Sequence, residues 1–170
     1  GMLLGTSPDG TVTIEIAGVC HDEMESWHQS LDEERRKRIS LHGRIGREEL
    51  AAMLRRCRVF YSPSAFESFG IAAAEALCSG CSIVAQRSVS MTSFDWFVSE
   101  NSGTLAASGG AGAHLDALTA ELDAWDRGDR DPMAISSIWS SCLHADKVAG
   151  RMVRLLDGER DADPTIHLGL

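Results

Sequence analysis

Residues Tyr61–Gly80 read YSPSAFESFGIAAAEALCSG, and this stretch decides the fold. It leaves a short apolar run, Arg58–Ser62 (RVFYS), which reads as a strand stopped by Pro63. A turn from Ser64 to Ser68 follows. Phe69–Ser79 is rich in alanine, the composition of a helix, and Gly80 suits the left-handed position that closes one. Strand, turn, helix and glycine stop within twenty residues make the beginning of a crossover unit, so the chain on either side is expected to repeat it.

The flanks do so. Thr11–Gly18 (TVTIEIAG) alternates Val12, Ile14 and Ile16 with polar or small residues, a strand that ends on glycine. Asp22 is placed to cap a helix running to about Arg38, with Met24, Trp27 and Leu31 on one face. Ile39–His42 is a short strand closed by Gly43. Arg47–Cys57 follows as a helix whose first turn carries Glu48 and Glu49. Beyond Gly80, Ser82–Ala85 and Gly103–Ala106 read as strands, and Ala113–Trp125, Pro132–Cys142 and Ala145–Leu156 as helices. Strands alternating with helices of this length call for an α/β architecture: a Rossmann-like parallel sheet with helices on both faces and a helical C-terminal region. Residues 11–157 form the domain. Residues 1–10, opening on a Gly1 that reads as an expression remnant, are expected to be disordered or extraneous, and residues 158–170 to be a tail.

Composition bounds the function. With 170 residues, 44% hydrophobic and 24% charged, the chain suits one globular domain with a full core. A formal charge of −9 argues against a protein held by nucleic acid or by anionic lipid. No apolar run reaches the roughly 18–20 residues of a membrane span, and five cysteines without a disulfide spacing suit a reducing cytoplasm. The charges are unevenly placed. Arg35–Arg58 carries nine cations against Glu48 and Glu49, the pattern of a solvated face or of a phosphate or partner contact. From Phe60 to Leu115 the only charged residues are Glu67, Glu75, Arg87, Asp95 and Glu100, so this middle third is expected to be mostly buried.

Glu67 and Glu75 therefore stand out. Gly70 lets a ligand approach the backbone, and the first N–H groups of the following helix lack intrahelical partners and meet the positive end of its dipole. Glu67 by itself reads as a capping acid and Glu75 as an exposed helix residue. Yet Glu75 sits between Ala72-Ala73-Ala74 and Ala76-Leu77-Cys78, where solvating a carboxylate is difficult, and acids in apolar surroundings need partners. Two carboxylates that accept hydrogen bonds from hydroxyls, beside a backbone phosphate site, would suit a sugar nucleotide.

The series Gly43, Glu48-Glu49-Leu50, Val59-Phe60, Pro63-Ser64, Glu67-Ser68-Phe69-Gly70, Glu75-Ala76 and Gly80 resembles the C-terminal half of the family-4 (group 1) retaining glycosyltransferases of GT-B fold. Their Glu-x7-Glu mark corresponds to Glu67 and Glu75, and the resemblance runs from about Val12 to Leu156. It implies a donor-binding domain for a nucleotide-diphospho-sugar. Glu67 would contact the donor sugar as the catalytic residue, and Glu75 the ribose hydroxyls. Ser68 and the amides around Phe69, Gly70 and Ile71 would approach the sugar or diphosphate, with Ser64 in the donor-side loop. The strand Val12–Gly18 and the loop near Val19 would flank the nucleotide. The resemblance further implies hexosyl transfer with retention, no cofactor and no metal, and an acceptor domain supplied by a partner chain, by a homo-oligomer or by sequence outside these residues. The alternatives are a non-catalytic protein of this fold acting in binding or assembly, and an epimerase built on the same half.

Three features depart from the family. The strand and helix that usually open this half, with a Gly-Arg and a Lys that neutralise the diphosphate, lack a match ahead of Thr11; the chain has two lysines, Lys37 and Lys147. Losing such a clamp removes an electrostatic contribution that usually dominates transfers of this kind. The N-terminal acceptor domain is not in the sequence. The usually glycine-rich loop after the fourth strand reads Gln86-Arg87-Ser88-Val89-Ser90-Met91, where Arg87 is a candidate replacement cation. Of the remaining candidates, Cys78-Ser79-Gly80-Cys81 lacks a second ligand pair for zinc and reads as two packed thiols. His42 is the histidine to watch. Trp27, Trp96, Trp125 and Trp139 read as packing anchors, with Trp96 placed near the cleft.

Overall fold

The computed structural model describes residues 2–6, 10–18, 21–87 and 92–158. Val19, Ser88–Met91 and residues 159–170 lie outside them. The elements are β1 (Met2–Thr6), β2 (Val12–Ala17), α1 (His21–Ser30), α2 (Glu33–Lys37), β3 (Ile39–Gly43), α3 (Arg47–Arg56) and β4 (Val59–Ser62). They continue with α4 (Ile71–Cys78), β5 (Ser82–Gln86), α5 (Thr92–Phe97), β6 (Gly103–Ala106), α6 (Ala111–Asp126), α7 (Pro132–Leu143) and α8 (Ala145–Leu156). The sheet order is β3-β2-β1-β4-β5-β6. This is the α/β class read from the sequence, with two differences in its N-terminal part.

The first concerns residues 1–10, expected to be unstructured. Met2–Thr6 instead forms a central strand, with Leu3 and Leu4 buried. It pairs antiparallel with β2 (Leu4 opposite Ile14) and with β4 (Leu4 opposite Val59). The sheet is therefore mixed rather than wholly parallel. Residues 7–11 are too few for the crossover a parallel pair would need, so β1 and β2 can only be a hairpin. The second difference is local. The helix expected from Asp22 to about Arg38 is two, because Asp32 takes an extended backbone and caps α2 by accepting from the Arg35 N–H at 2.8 Å.

Alternation along the strands divides the core. Leu3, Phe60, Ile83 and Ala85 pack with Met53, Leu54, Ala73, Leu77 and Trp139 of the helices on one face. Leu4, Val59, Tyr61, Val84 and Ala106 meet Ala117 of α6 on the other. Because β4 and β5 are buried on both faces, they read as unbroken apolar runs. Gly103 sits where a Cβ would lie 2.0 Å from the Ile83 carbonyl oxygen, which lets β6 approach β5. Among the described residues no helix is long and apolar enough to cross a membrane.

One buried ion pair ties α6 to its surroundings. Glu121 is fully buried and accepts from Arg130 Nε at 2.6 Å, Arg130 Nη2 at 2.9 Å and Thr104 Oγ1 at 2.7 Å. Arg130 also donates to the Glu100 carbonyl at 2.7 Å. The Asp-x-Asp triplet of the metal-dependent alternative is read from the sequence as absent; Asp129-Arg130-Asp131 corrects that, although both of its acids are structurally engaged. Asp129 pairs with Arg127 at 2.9 Å, and Asp131 caps α7 through the Met133 N–H at 2.8 Å.

Candidate functional site

The decisive stretch folds as expected at both ends. β4 stops at Ser62, and α4 closes at Gly80 (φ +93°) with Gly80 N–H to Leu77 O and Cys81 N–H to Ala76 O, both 3.0 Å, a Schellman ending. Between them, Ser64 Oγ donates to Phe66 O at 2.7 Å and tightens the turn. Gly70 takes the left-handed region (φ +83°, ψ 52°) and opens α4 with no side chain capping it. Among the described residues, the first N–H groups, on Ile71, Ala72 and Ala73, have no side-chain partner at the positive end of the helix.

An aromatic bed holds this loop from behind. Phe69 meets Phe97 edge-on at 5.3 Å and Trp96 at 6.3 Å, while Trp96 and Phe97 both pack on buried Trp139. A Cβ on Gly70 would lie 3.5 Å from Phe97 and 3.6 Å from both Phe94 and Glu67 Cγ, so the half-buried Glu67 stem rests beside Gly70. The bed is carried by α5, a helix that is not assigned from the sequence. Trp96 does lie at this loop; Trp27 is exposed and anchors little.

Glu75 departs from expectation. Its neighbours Ala73, Ala76 and Leu77 are buried, but the helical period turns Glu75 and Ala72 to the opposite side, and both are exposed. Its carboxylate is thus solvated, and the apolar-surroundings argument does not hold. What marks Glu75 is that it lines a cavity of about 290 Å³. Leu3, Ala17 and Phe60 of the sheet, Leu50 and Leu54 of α3, and Arg44 and Ile45 of the turn after β3 line it as well. Ala17 belongs to the strand expected to flank a ligand.

The structure therefore divides the predicted site residues. Glu75 lines the cavity, whereas Ser64, Glu67, Ser68, Phe69 and Ile71 lie along the loop and helix start without lining it. Ser68, Phe69 and Ile71 are exposed, and Phe66 is 76% exposed, so the charge-poor middle of the chain is buried in its strands but not in this lip. Arg44, Ile45 and Leu3 were not singled out as site residues from the sequence. The available signal was Gly43, a strand-ending glycine (φ +58°) that places the next two residues at the carboxyl edge of the sheet. Arg87, the candidate replacement cation, is paired with Asp95 of α5 at 3.3 Å. His42 bonds Glu15 through Nε2, and Arg56 approaches the same carboxylate at 3.6 Å.

A six-strand sheet flanked by helices, with a cavity and an uncapped helix start at the carboxyl edge of its strands, defines one half of a GT-B fold. Sucrose-phosphate synthase from Thermosynechococcus elongatus superposes on 91% of the chain with a TM-score of 0.63 and 21% identity. Anabaena HepE, solved in complex with UDP and glucose, superposes on 85% with a TM-score of 0.61 and 15% identity. The chain spans 36% and 40% of the lengths of these two proteins. No curated protein matches it in sequence. The chain belongs to the glycosyl transferases group 1 family, whose model matches residues 9–122.

Proposed function

We propose that this chain is a donor-binding half that takes a nucleotide-diphospho-sugar, and that it transfers the sugar with retention when an acceptor domain completes the cleft. One observation carries the reading: Glu75 lines an apolar cavity together with Ala72 of the first turn of α4. A carboxylate accepts from two hydroxyls at once, as a ribose offers them, and open helix N–H groups bind phosphate. In this reading Glu75 holds the ribose, and the N–H groups from Ile71 to Ala73 hold the diphosphate. Glu67 contacts the donor sugar, with Ser64, Ser68, Phe69 and Gly70 shaping its loop. The UDP and glucose in the HepE complex support a donor of this class. No metal or cofactor is part of the reading.

The test is titration calorimetry with UDP-, GDP- and ADP-sugars, repeated on Glu75→Ala. One of the donors binds, and the substitution weakens it at least about tenfold, the scale of a hydrogen-bonded charged group. Because Glu75 is exposed, the urea midpoint stays that of the wild type. If none binds at millimolar concentration, the donor reading fails. A second reading, binding or assembly without catalysis, is favoured by the exposed apolar lip of Phe66, Phe69 and Ile71. It gains if a donor binds and no sugar is hydrolysed or transferred after an acceptor half is added.

A further inference from the structure

We propose that the first turn of α6, backed by His114, binds the phosphate of a small phosphate monoester in a second cavity, on the face of the sheet opposite the one that Glu75 lines. The site stands apart from the donor reading and does not depend on it.

α6 follows β6 through Ala107-Ser108-Gly109-Gly110, and β6 runs parallel to β5 as β5 does to β4, so this turn lies at the carboxyl edge of the sheet. A cavity of about 370 Å³ there is lined by Gly109, Ala111 and His114, together with Tyr61, Pro63 and Leu115. Phe60 lines the Glu75 cavity and Tyr61 this one. Neighbours in a strand point to opposite faces, so the two cavities lie on opposite sides of β4.

His114 points to a ligand. Its Nε2 lies 3.3 Å from Gln86 Oε1, which can only accept, so Nε2 carries the hydrogen and Nδ1 keeps a lone pair. His114 is 7% exposed, and its Nδ1 is buried with no hydrogen-bond partner among the described residues. A buried acceptor left bare is costly and calls for a donor. His114 is the fourth residue of α6, and helical side chains lean towards the N-terminus, so its ring stands over the first turn. A Cβ on Gly109 would lie 2.8 Å from the same Gln86 oxygen, which places the ring beside the turn as well.

The glycines of the turn point the same way. Gly110 and Gly112 take no positive φ. A Cβ on Gly112 would meet nothing within 4 Å, and one on Gly110 only Ser108 Oγ at 3.6 Å. Neither backbone conformation nor packing therefore asks for glycine at Gly112, and glycine weakens a helix there. Its missing side chain leaves the N–H groups of Ala111, Gly112 and Ala113 open to close approach. No side chain caps them among the described residues, and the first turn carries no acid.

Three N–H donors at the positive end of a helix of 16 residues suit an anion, while Nδ1 needs a donor. A phosphate monoester brings both. Its oxygens accept from the N–H groups, and near about pH 6 it retains a proton whose O–H donates to Nδ1. Sulfate keeps no such proton. Tyr61, Pro63 and Leu115 offer apolar surface to the organic part of the ester.

The experiment follows backbone amide and imidazole NMR signals at about pH 6 during titration with phenyl phosphate, inorganic phosphate and phenyl sulfate. Phenyl phosphate gives saturable shifts at Ala111, Gly112, Ala113 and the His114 ring, and binds more tightly than inorganic phosphate. Phenyl sulfate binds about fivefold or more weaker, as does phenyl phosphate to His114→Leu. Gly112→Asp puts a carboxylate on the same N–H groups: it weakens phenyl phosphate by about fivefold or more, yet raises the melting temperature. A glycine serving only the fold would move stability alone. No saturation at millimolar phenyl phosphate, shifts centred on Ile71–Ala73 instead, equal binding of sulfate and phosphate esters, or unchanged affinity in Gly112→Asp each overturns the proposal.

Discussion

Replacing Arg130 with Met leaves the Glu121 carboxylate fully buried without its cation, retaining only the neutral donor Thr104 at 2.7 Å and its contact with Ser82. Two guanidinium hydrogen bonds, 2.6 and 2.9 Å, are lost together with the one to Glu100 O. Breaking a buried pair from one side costs about 3–5 kcal/mol, because the remaining charge is uncompensated. Against a total stability of about 5–15 kcal/mol this is a large fraction. At a mid-range urea slope it lowers the unfolding midpoint by about 2 M at pH 7. Urea titration followed by tryptophan fluorescence and far-UV circular dichroism reads the shift. The double variant Glu121→Leu with Arg130→Met returns most of the loss, since apolar residues of similar volume replace such a pair at little cost.

The pH dependence has a definite sign. Burial alone would raise the Glu121 carboxyl, but hydrogen bonds from Arg130, Ser82 and Thr104 and the adjacent guanidinium outweigh it and hold the group below the usual carboxylate range. In wild type its contribution is full above the unfolded glutamate value and is lost as pH falls through the folded value. In Arg130→Met, burial without the cation raises the group, and the variant gains relative stability as pH falls through that raised value. The gap between the two proteins therefore narrows from pH 7 towards about pH 4, near the unfolded glutamate value. A single variant within about 1 kcal/mol of wild type at pH 7 overturns this account. So does a gap that does not change with pH.

The glycines form a graded series for thermal melts. Gly103→Ala gives no folded protein, because its Cβ would lie 2.0 Å from Ile83 O. Gly80→Ala combines a φ of +93° with a 2.7 Å approach to Pro132 O and costs more than Gly70→Ala, whose Cβ meets only ordinary contacts at 3.5–3.6 Å and which loses about 1–2 kcal/mol to its left-handed backbone. A different ranking refutes the packing described at these turns. Burial pushes the Cys57 and Cys81 thiols up, to about 11 and about 12, with Glu15 adding to the effect at Cys57. Both react with an aromatic disulfide reagent at pH 8 far more slowly in the native protein than in urea; rapid native labelling of either one contradicts their burial.

The parts of the site that are local in sequence were legible. Pro63, Gly70 and Gly80 each act through the backbone of their own neighbourhood, so a strand stop, a helix start and a helix end could be placed from residue type alone. Glu67 and Glu75 were recognisable by spacing, although the reason first given for Glu75, an apolar environment, ignored which side of the helix its alanine neighbours occupy. Helix α5 was missed because Thr92–Phe97 is six residues long and takes its order from aromatic packing against Trp139 and Phe69 rather than from propensity. Arg44 was passed over because nothing in Gly43-Arg44-Ile45 reveals what lies across the sheet.

The sequence by itself determined the α/β class, the position of most helices and strands, the family resemblance and the Glu67–Glu75 segment, since all of these follow from short-range periodicity and backbone chemistry. Only the tertiary structure decided that Met2–Thr6 is a central antiparallel strand. It also showed that Arg87 is spent on Asp95, and that Arg44 and Glu75 face one cavity. The long-range ones among these bring Leu4 to Val59 and Arg44 to the cavity of Glu75, residues more than thirty positions apart in sequence. Strand order and helix packing create them, and no local pattern along the chain encodes which distant charge will meet which.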